Sequence, residues 1–362
     1  MQETPDVFSE KKKPCPNCGA ELTYKPGTHQ LGCGYCGYEE FIETNKTSLE
    51  ELELAHYLEL VGQYAHTETL EVLHCKNCGA QQHSEENYQS LHCIYCSEPL
   101  IKEESASEQW IRPGGLIPFQ LDAKKGRQLF KNWVKGIWFA PNSLKKAALD
   151  PEAMHGVYLP YWTFDADLTA DYRGQRGDYY YETQRVKTKN GVQTQQVRKT
   201  RWRSASGRVS GFVDDVLVNA AEKRAEAIPA KISHWRMDDL VGYDTKYLSG
   251  FVTEKYTVSL KEGHKRSFAQ VKSIAHNWIR RDIGGDTQRI SSADINLANE
   301  TFKHVLLPIF ISNYTFKGKR YHFYINGQTG ALTGKRPYSF WKIFFLVLFI
   351  GVLILILAKF AG

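Results

Sequence analysis

Apolar and polar residues recur at two different periods along the chain, and the changes of period mark out its elements. Between Ser48 and Val61 the apolar positions Leu54, Leu58 and Val61 fall at helical spacing on an otherwise acidic stretch. Ser48 and Glu51 have the separation of a capping box, so an acidic amphipathic helix is expected there. Asp122 stands where an N-cap would precede a helix with Phe130, Trp133, Val134 and Ile137 on its inner face. A third helical stripe, Phe268, Val271, Ile274, Ala275, Trp278 and Ile279, is stopped by Gly284-Gly285.

Strand-like runs are Val157–Phe164, Tyr179–Lys187, Val192–Trp202, Val209–Val218, His304–Phe316 and Tyr321–Ile325, the last before a turn at Asn326-Gly327. Tyr180–Lys189, Asn190-Gly191 and Val192–Arg203 read as one long hairpin. The dense aromatic run Tyr158–Phe164 reads as a core strand. Helices interspersed with hairpins, rather than alternating strictly with strands, predict an α+β fold over a doubly wound sheet.

The pattern ends on Ile343–Ala358, sixteen residues without a charge, extended by Phe340 and Trp341. About 20 helical residues span the ~30 Å hydrocarbon core of a bilayer. Tyr338 and Trp341 sit where an aromatic belt would lie, and Lys342 can snorkel. Lys335, Arg336 and Lys342 precede the run and Lys359 follows it, so the positive-inside bias predicts residues 1–339 on the cytoplasmic side. The expectation is a transmembrane helix that contacts the membrane through residues 340–360. It gives a single-pass, tail-anchored protein of the inner (cytoplasmic) membrane, with the bulk of the chain cytoplasmic. A lone span excludes a multi-span transporter or channel.

The composition of the 362 residues, 42% hydrophobic and 24% charged, is that of a globular protein. The net charge of +6 conceals a split. Residues 1–110 hold 7 Lys+Arg against 19 Asp+Glu, net −12, and residues 111–362 are net +18. The acidic part repels phosphate backbones, and the basic part suits anionic partners.

All eight cysteines lie in the acidic part as four Cys-x-x-Cys pairs. Cys15, Cys18, Cys33 and Cys36 recur 60 positions later as Cys75, Cys78, Cys93 and Cys96, and their flanks repeat too. This internal repeat predicts two copies of one small module. The polar start of the chain shows no apolar signal region, which favours metal thiolates over disulfides. Each copy reads Cys-x₂-Cys-x₁₄-Cys-x₂-Cys, a zinc-ribbon spacing. Two structural Zn²⁺ ions are expected, with iron in a rubredoxin-like site as the alternative. Local ligand sets are simpler than sets crossed between repeats, and both stay open. Four thiolates leave no open coordination position, so the sites are structural, and each ribbon is expected to unfold without metal. His29, His74, His83 and His92 are read as surface residues or as residues packed behind the ligands, not as ligands. The boundaries that follow are 1–43 for the first ribbon, 44–69 for an acidic helical linker and 70–101 for the second ribbon. A linker at 102–118, a basic α+β domain at 119–338 and a tail anchor at 339–362 complete the chain.

Residues 171–210 hold ten Lys+Arg and three Asp+Glu beside Tyr172, Tyr179, Tyr180, Tyr181 and Trp202. A solvated arm, contact with phospholipid or a partner protein, and nucleic-acid binding all fit such a segment. Its candidate contact residues are Arg185, Lys187, Arg198, Lys199, Arg201, Trp202 and Arg203. Asp165 and Asp167 share a strand face at i, i+2, whereas Asp214-Asp215 and Asp238-Asp239 point to opposite faces if extended. Ile283-Gly-Gly-Asp286 reads as a helix C-cap. No G-x-x-x-x-G-K-[ST], H-E-x-x-H or G-x-S-x-G occurs, and the remaining histidines show no ligand spacing. Neither an enzyme nor a small-molecule substrate is expected.

The chain resembles a bacterial family of TFIIB-type zinc-ribbon proteins with a C-terminal transmembrane segment, often labelled primosomal protein N′, a replication-restart helicase. The strings that carry the resemblance include Trp138-Phe-Ala-Pro-Asn142, Gly156–Ala166, Arg176-Gly-Asp-Tyr-Tyr-Tyr181, Arg198-Lys-Thr-Arg-Trp202, Asp214–Val218, Arg281–Asp286, Thr301-Phe-Lys-His304 and Arg336-Pro-Tyr338. A helicase needs a P-loop and two ATPase lobes, and neither fits here. A looser similarity is to double-zinc-ribbon membrane proteins in loci with phage-shock protein A and flotillin-like proteins. The closed metal sites, the charge split and the apolar tail together predict a non-catalytic, membrane-anchored adaptor or scaffold with a cytoplasmic protein-interaction head, and the looser similarity implies a place in a membrane-stress response. The alternative is a membrane-tethered nucleic-acid-binding protein related to replication, without helicase activity.

Overall fold

The computed structural model describes residues 13–43, 51–60, 72–74, 81–83, 101–102, 111–147, 154–188, 191–221, 232 and 234–361. The N-terminal elements are β1 (Leu22–Tyr24), β2 (Gln30–Cys33), β3 (Glu39–Phe41), β4 (Leu52–Glu53), α1 (Leu54–Leu60), β5 (Val72–His74), β6 (Gln81–His83) and β7 (Ile101–Lys102). There follow β8 (Gly115–Leu116), α2 (Ala123–Gly136), α3 (Asn142–Ala147), β9 (His155–Thr188), β10 (Gly191–Asn219), β11 (Val241–Gly242) and β12 (Val252–Thr253). The chain ends with α4 (Leu260–Ile283), β13 (Thr287–Phe316), β14 (Lys319–Asn326), β15 (Leu332–Gly334) and α5 (Phe340–Ala361). The fold is mixed helix and sheet with mostly antiparallel strands.

One nine-stranded sheet dominates, with the path β10-β9-β13-β14-β15 and the short strands β4, β8, β11 and β12 attached to its sides. The separate apolar runs of the sequence join into three continuous strands: β9 of 34 residues, β10 of 29 and β13 of 30. At ~3.3 Å per residue each has a contour of roughly 100 Å. No proline interrupts the stretches between the runs, and the polar segments continue the ladder straight through Ser206-Gly207. The hairpin closes at Thr188↔Gly191, one residue earlier than an Asn190-Gly191 turn would place it.

Three apolar clusters cover the proximal half of this sheet. Phe130 and Val134 of α2 pack with Phe310, Tyr314 and Phe323. Ile117, Val157, Leu159, Tyr161, Val305 and Leu307 form a second cluster with Ile232. On the face covered by α4, Trp162, Phe164, Leu168 and Ala170 meet Val271, Ala275, Ile279 and Ile283. The Ser259 side chain caps α4 by accepting from the Glu262 N–H, and Gly284 ends it at φ +64°. Gly263 lets the helix approach the sheet, since a Cβ there would lie 2.6 Å from the Trp162 ring. Phe268, expected on the inner face of α4, is 43% exposed. Beyond Tyr172 the three-stranded ribbon leaves this core, and Tyr179, Tyr180 and Tyr181 are exposed.

Two regions differ from the sequence reading. Residues 111–118, which composition places at the end of a linker, run through the sheet. Leu116 and Ile117 are fully buried, and β8 pairs in parallel with β13. The acidic segment starts as strand β4 against Thr301 and Phe302, with α1 beginning only at Leu54. Glu51 therefore makes no capping box; it bonds to Lys303 and Thr301. Leu54 is buried against the sheet and Tyr57 packs edge-on to Phe302, so α1 rests on β13. Ser48 and Val61 lie outside the described residues.

Helix α5 is long and apolar enough to cross a membrane, with a mean hydropathy of 2.9 over Phe340–Lys359 and none of that window buried. It is not attached through a loose tether. Ser339 N–H donates to Phe139 O at 2.7 Å, and Tyr314 OH donates to Lys335 O at 3.0 Å. Lys342, expected to snorkel, instead donates to Trp138 O, Ala140 O and Asn142 Oδ1 at 2.8–2.9 Å.

Candidate metal centre

The first cysteine module is a three-stranded sheet of β1, β2 and β3 carrying two matching knuckles. In each, the first cysteine's N–H is taken five residues on: Cys15 N donates to Ala20 O and Cys33 N to Tyr38 O. In each, a glycine folds back: Gly19 N donates to Cys15 O and Gly37 N to Cys33 O. Both glycines have φ near +73°, a conformation that L side chains rarely adopt. The two turns aim their thiols at one point. Cys15 and Cys36 sulfurs lie 3.4 Å apart, Cys18 and Cys33 3.5 Å, and all four fall within 4.8 Å of one another. Those separations exclude disulfides, which need ~2.05 Å. A tetrahedral zinc with ~2.3 Å Zn–S bonds requires sulfurs just under 4 Å apart, so the four residues fit the ion with little adjustment.

Electrostatics agree with a thiolate site. Backbone N–H groups of Cys36 and Tyr35 point at the Cys33 sulfur and lower its pKa to about 6. Cys36 has the Tyr38 N–H in its favour, but the neighbouring sulfurs and burial push it up to about 12. Four sulfurs this close need a cation before all can ionise, and a metal ion such as zinc would supply it. Cys15 and Cys33 are buried while Cys18 and Cys36 are exposed, so the site sits under one lid of the ribbon.

The ribbon is joined to the large sheet. Leu22, Tyr24, Leu31 and Ile42 share a core with Phe119, Tyr158 and Phe310. Ser249 Oγ donates to Leu22 O at 2.6 Å, Tyr24 OH to Phe119 O at 3.3 Å, and Gly27 N to Phe119 O at 2.8 Å. His29, read as a surface residue, has Nδ1 2.9 Å from Tyr247 OH, whose pKa burial raises to about 12.

Of the second repeat, Cys75, Cys78, Cys93 and Cys96 lie outside the described residues, as does His92. Its described strands nevertheless repeat the first register. His74 pairs with Gln81 across the position of the first knuckle, as Pro14 pairs with Glu21 sixty residues earlier.

A second cluster forms where two bulges flank Asp165. The register slips between Val213 and Val216 on β10 and between Ala298 and Thr301 on β13. Asp215 takes φ +47° at the first bulge and Asn299 φ +50° at the second. The bulge brings Asp214 and Asp215 to the same place as Asp165, which an extended Asp214-Asp215 would not do, and their oxygens lie within 4.8 Å. Asp167 is not part of this group; Asn299 Nδ2 donates to it at 2.8 Å. Lys303 Nζ occupies the cation's place, at 3.1 Å from Glu51, 3.2 Å from Asp165 and 3.3 Å from Asp215. Burial raises the pKa values of Asp165 and Asp215. Burial opposes the Lys303 charge, but the two aspartates and Glu51 outweigh it and hold the ammonium well above its ordinary pKa. This is an internal ion network. Its one signal in the sequence is a lone lysine between Phe302 and the apolar run Val305–Leu307.

The basic hairpin residues all fall on the distal ribbon but split between its faces. Arg198 lies 4.4 Å over the Tyr179 ring, and Arg289 lies 3.9 Å over Trp202 on the same face. Lys199, Arg201 and Arg203 take the other face. There Arg201 lies 5.2 Å over Tyr180, and Lys199 pairs with Glu182. Arg185 and Arg203 are exposed, and the Lys187 side chain lies outside the described residues. Arg289, on the third strand, escapes a reading of the sequence because it joins the stack only across the sheet. Gly284 N–H donates to Arg280 O at 3.1 Å and Gly284 and Gly285 both take positive φ, as the C-cap reading of Ile283–Asp286 implies, and Asp286 beyond them accepts from Tyr179 N at 2.6 Å.

Over 339 residues the chain is 30% identical to the "Uncharacterized protein YdjG" of Bacillus subtilis, covering 91% of each chain. A 40-residue stretch, 11% of this chain, is 42% identical to the small ribosomal subunit protein eS31 of Methanococcus maripaludis and spans 60% of that protein. No family model and no solved structure matches the chain.

Proposed function

As the chain belongs to the family of Bacillus subtilis YdjG, we propose for it a non-catalytic role as a membrane-anchored zinc-ribbon adaptor. The observation that carries this reading is α5: an apolar helix with no part of its span buried needs a bilayer to cover it. The closed four-cysteine site supports it, because such a centre builds structure and offers no position to a substrate. The ribbons and the acidic segment form the cytoplasmic head that meets a partner protein. The finer assignments, a TFIIB-type ribbon and a second structural zinc at Cys75, Cys78, Cys93 and Cys96, belong to this proposal. So does a place in a membrane-stress response, which rests on the resemblance to phage-shock loci. Carbonate extraction of membranes tests the anchor. The full-length chain should remain in the pellet and a chain ending at Tyr338 should be released, whereas equal extraction of both defeats the reading.

The stacked arginines of the distal ribbon favour the second reading, a nucleic-acid contact. Titration with single-stranded DNA, duplex DNA and RNA across a salt series separates the two. Tight binding with a steep salt slope that disappears in an Arg198→Gln, Arg201→Gln, Arg203→Gln variant puts nucleic acid first. No binding at physiological salt leaves the adaptor reading.

A further inference from the structure

The base of α5 is surrounded by two segments that are distant in sequence and free of acids. Residues 123–147 hold seven Lys and Arg, residues 317–342 hold six, and neither holds an Asp or Glu. The fold joins them. Phe130 of α2 stacks on Phe323 of β14 with ring centroids 4.0 Å apart, and Tyr314 stacks on Tyr321 beside the β13–β14 turn. Lys124, Lys125, Arg127 and Lys135 on α2, Lys317 and Lys319 on the turn, and Lys335 are all exposed.

The loop after α2 lies at the level of the first turn of α5. Lys342 binds two of its carbonyls and the Asn142 side chain, and Ser339 N–H binds a third carbonyl. This loop presents Trp138 at 73% exposure, beside Tyr338 at 61%, Phe340 at 72% and Trp341 at 64%. Four exposed aromatic rings together are costly in plain water, and they stand next to a collar of cations in which α2 carries an acid only at its Asp122 cap. They match the layered chemistry of a bilayer surface, where amphipathic rings sit among headgroups and cations meet anionic phosphates.

We infer that α2, the Trp138 loop and the β13–β14 turn form a cationic and aromatic collar seated on the anionic bilayer surface around the base of α5. This rests on the reading of α5 as a membrane span and adds a second, peripheral contact to it. The surface differs from the distal hairpin, which lies at the other end of β9 and β13.

Full-length protein reconstituted in vesicles of phosphatidylcholine and phosphatidylglycerol, with bromine on lipid chains near the headgroup, tests the collar by quenching of tryptophan fluorescence. Wild type is compared with Trp138→Phe and Trp341→Phe. Each substitution should remove a substantial share of the quenched signal. If Trp341→Phe changes the quenching and Trp138→Phe does not, the collar is wrong while the span stands. If neither changes it, the span itself fails. In a Lys124→Gln, Lys125→Gln, Lys131→Gln, Lys135→Gln variant, the Trp138 share should fall at least two-fold and the Trp341 share should hold. An unchanged Trp138 share would overturn the electrostatic half of the inference.

Discussion

Lys303 Nζ lies 3.2 Å from Asp165 Oδ2 in the middle of the large sheet, with the lysine side chain 8% exposed and the aspartate side chain fully buried. Asp215 and Glu51 complete its surroundings. The pair links the acidic N-terminal segment to the central strand, since Glu51 leads directly into β4.

Removing the cation should therefore be expensive. Lys303→Met leaves the buried Asp165 and the half-buried Asp215 without compensation, and breaking a buried pair typically costs about 3–5 kcal/mol. Urea unfolding at pH 7.5 measures it, and a loss below about 1 kcal/mol would show the network to be incidental. The deficit should shrink in acid. Both aspartates have folded pKa values raised by burial. Lys303 pulls both values down, so its removal raises them further; the folded variant binds these protons more readily than folded wild type, and lowering the pH narrows the deficit.

His304 sets an acid limit of its own. It is fully buried, with Nδ1 2.7 Å from Ile111 O, and burial holds its pKa down at about 4. The unfolded chain takes up this proton first, near pH 6.5. The histidine's contribution is thus whole above pH 6.5 and is lost as the pH falls toward 4, in total about 3 kcal/mol. The His304→Phe variant should show a flatter decline in urea midpoint between pH 7 and pH 4.5. Parallel declines in the two proteins would place the acid sensitivity elsewhere.

Zinc content reads the cysteine tetrad directly. Cys33→Ser should lower the zinc-to-protein ratio of the full chain by one, measured by elemental analysis. Since the ribbon shares its core with Phe119 and Tyr158, protease cleavage within residues 22–42 should accelerate at least several-fold. An unchanged metal ratio would remove Cys33 from the ligand set.

The distal ribbon should be dispensable for stability. Tyr181 pairs with Arg198, so replacing residues 182–197 by Asn-Gly joins the strands through a two-residue turn in the same register. No core residue is removed among the described side chains, and the thermal midpoint should move by no more than about 2 °C. A fall of 10 °C would mean that the arm stabilises the body of the sheet.

The α2 cap at Asp122, the Gly284-Gly285 stop and the first cysteine tetrad are all legible in the amino-acid sequence, because each depends on residues within one turn or one knuckle. Long-range relationships are not. Glu51 resembles a capping residue in sequence because its partner stands 252 positions away. Asp214-Asp215 reads as divergent because a bulge is invisible to a period of two. The cations of α2 do not stand out in sequence, because the acid-free segment that joins them lies near the other end of the domain. The hairpin does stand out, its charges being dense within one stretch of chain.

The position of β13 in the sheet governs the order in which the protein can be made. It is the central strand, flanked by β9 and β14 and bordered by β4 and β8, yet it spans Thr287–Phe316. At ~5–20 residues per second a ribosome needs roughly 15–60 s to deliver it after the first ribbon. During that interval the ribbon can gather its four thiols and the β9–β10 hairpin can zip locally. The apolar faces of Phe302, Leu306 and Phe310 do not yet exist to cover their partners. Long-range strand pairing is slow even once the chain is complete. Assembly of the domain is therefore a late event that cannot begin until the chain is within a few dozen residues of α5.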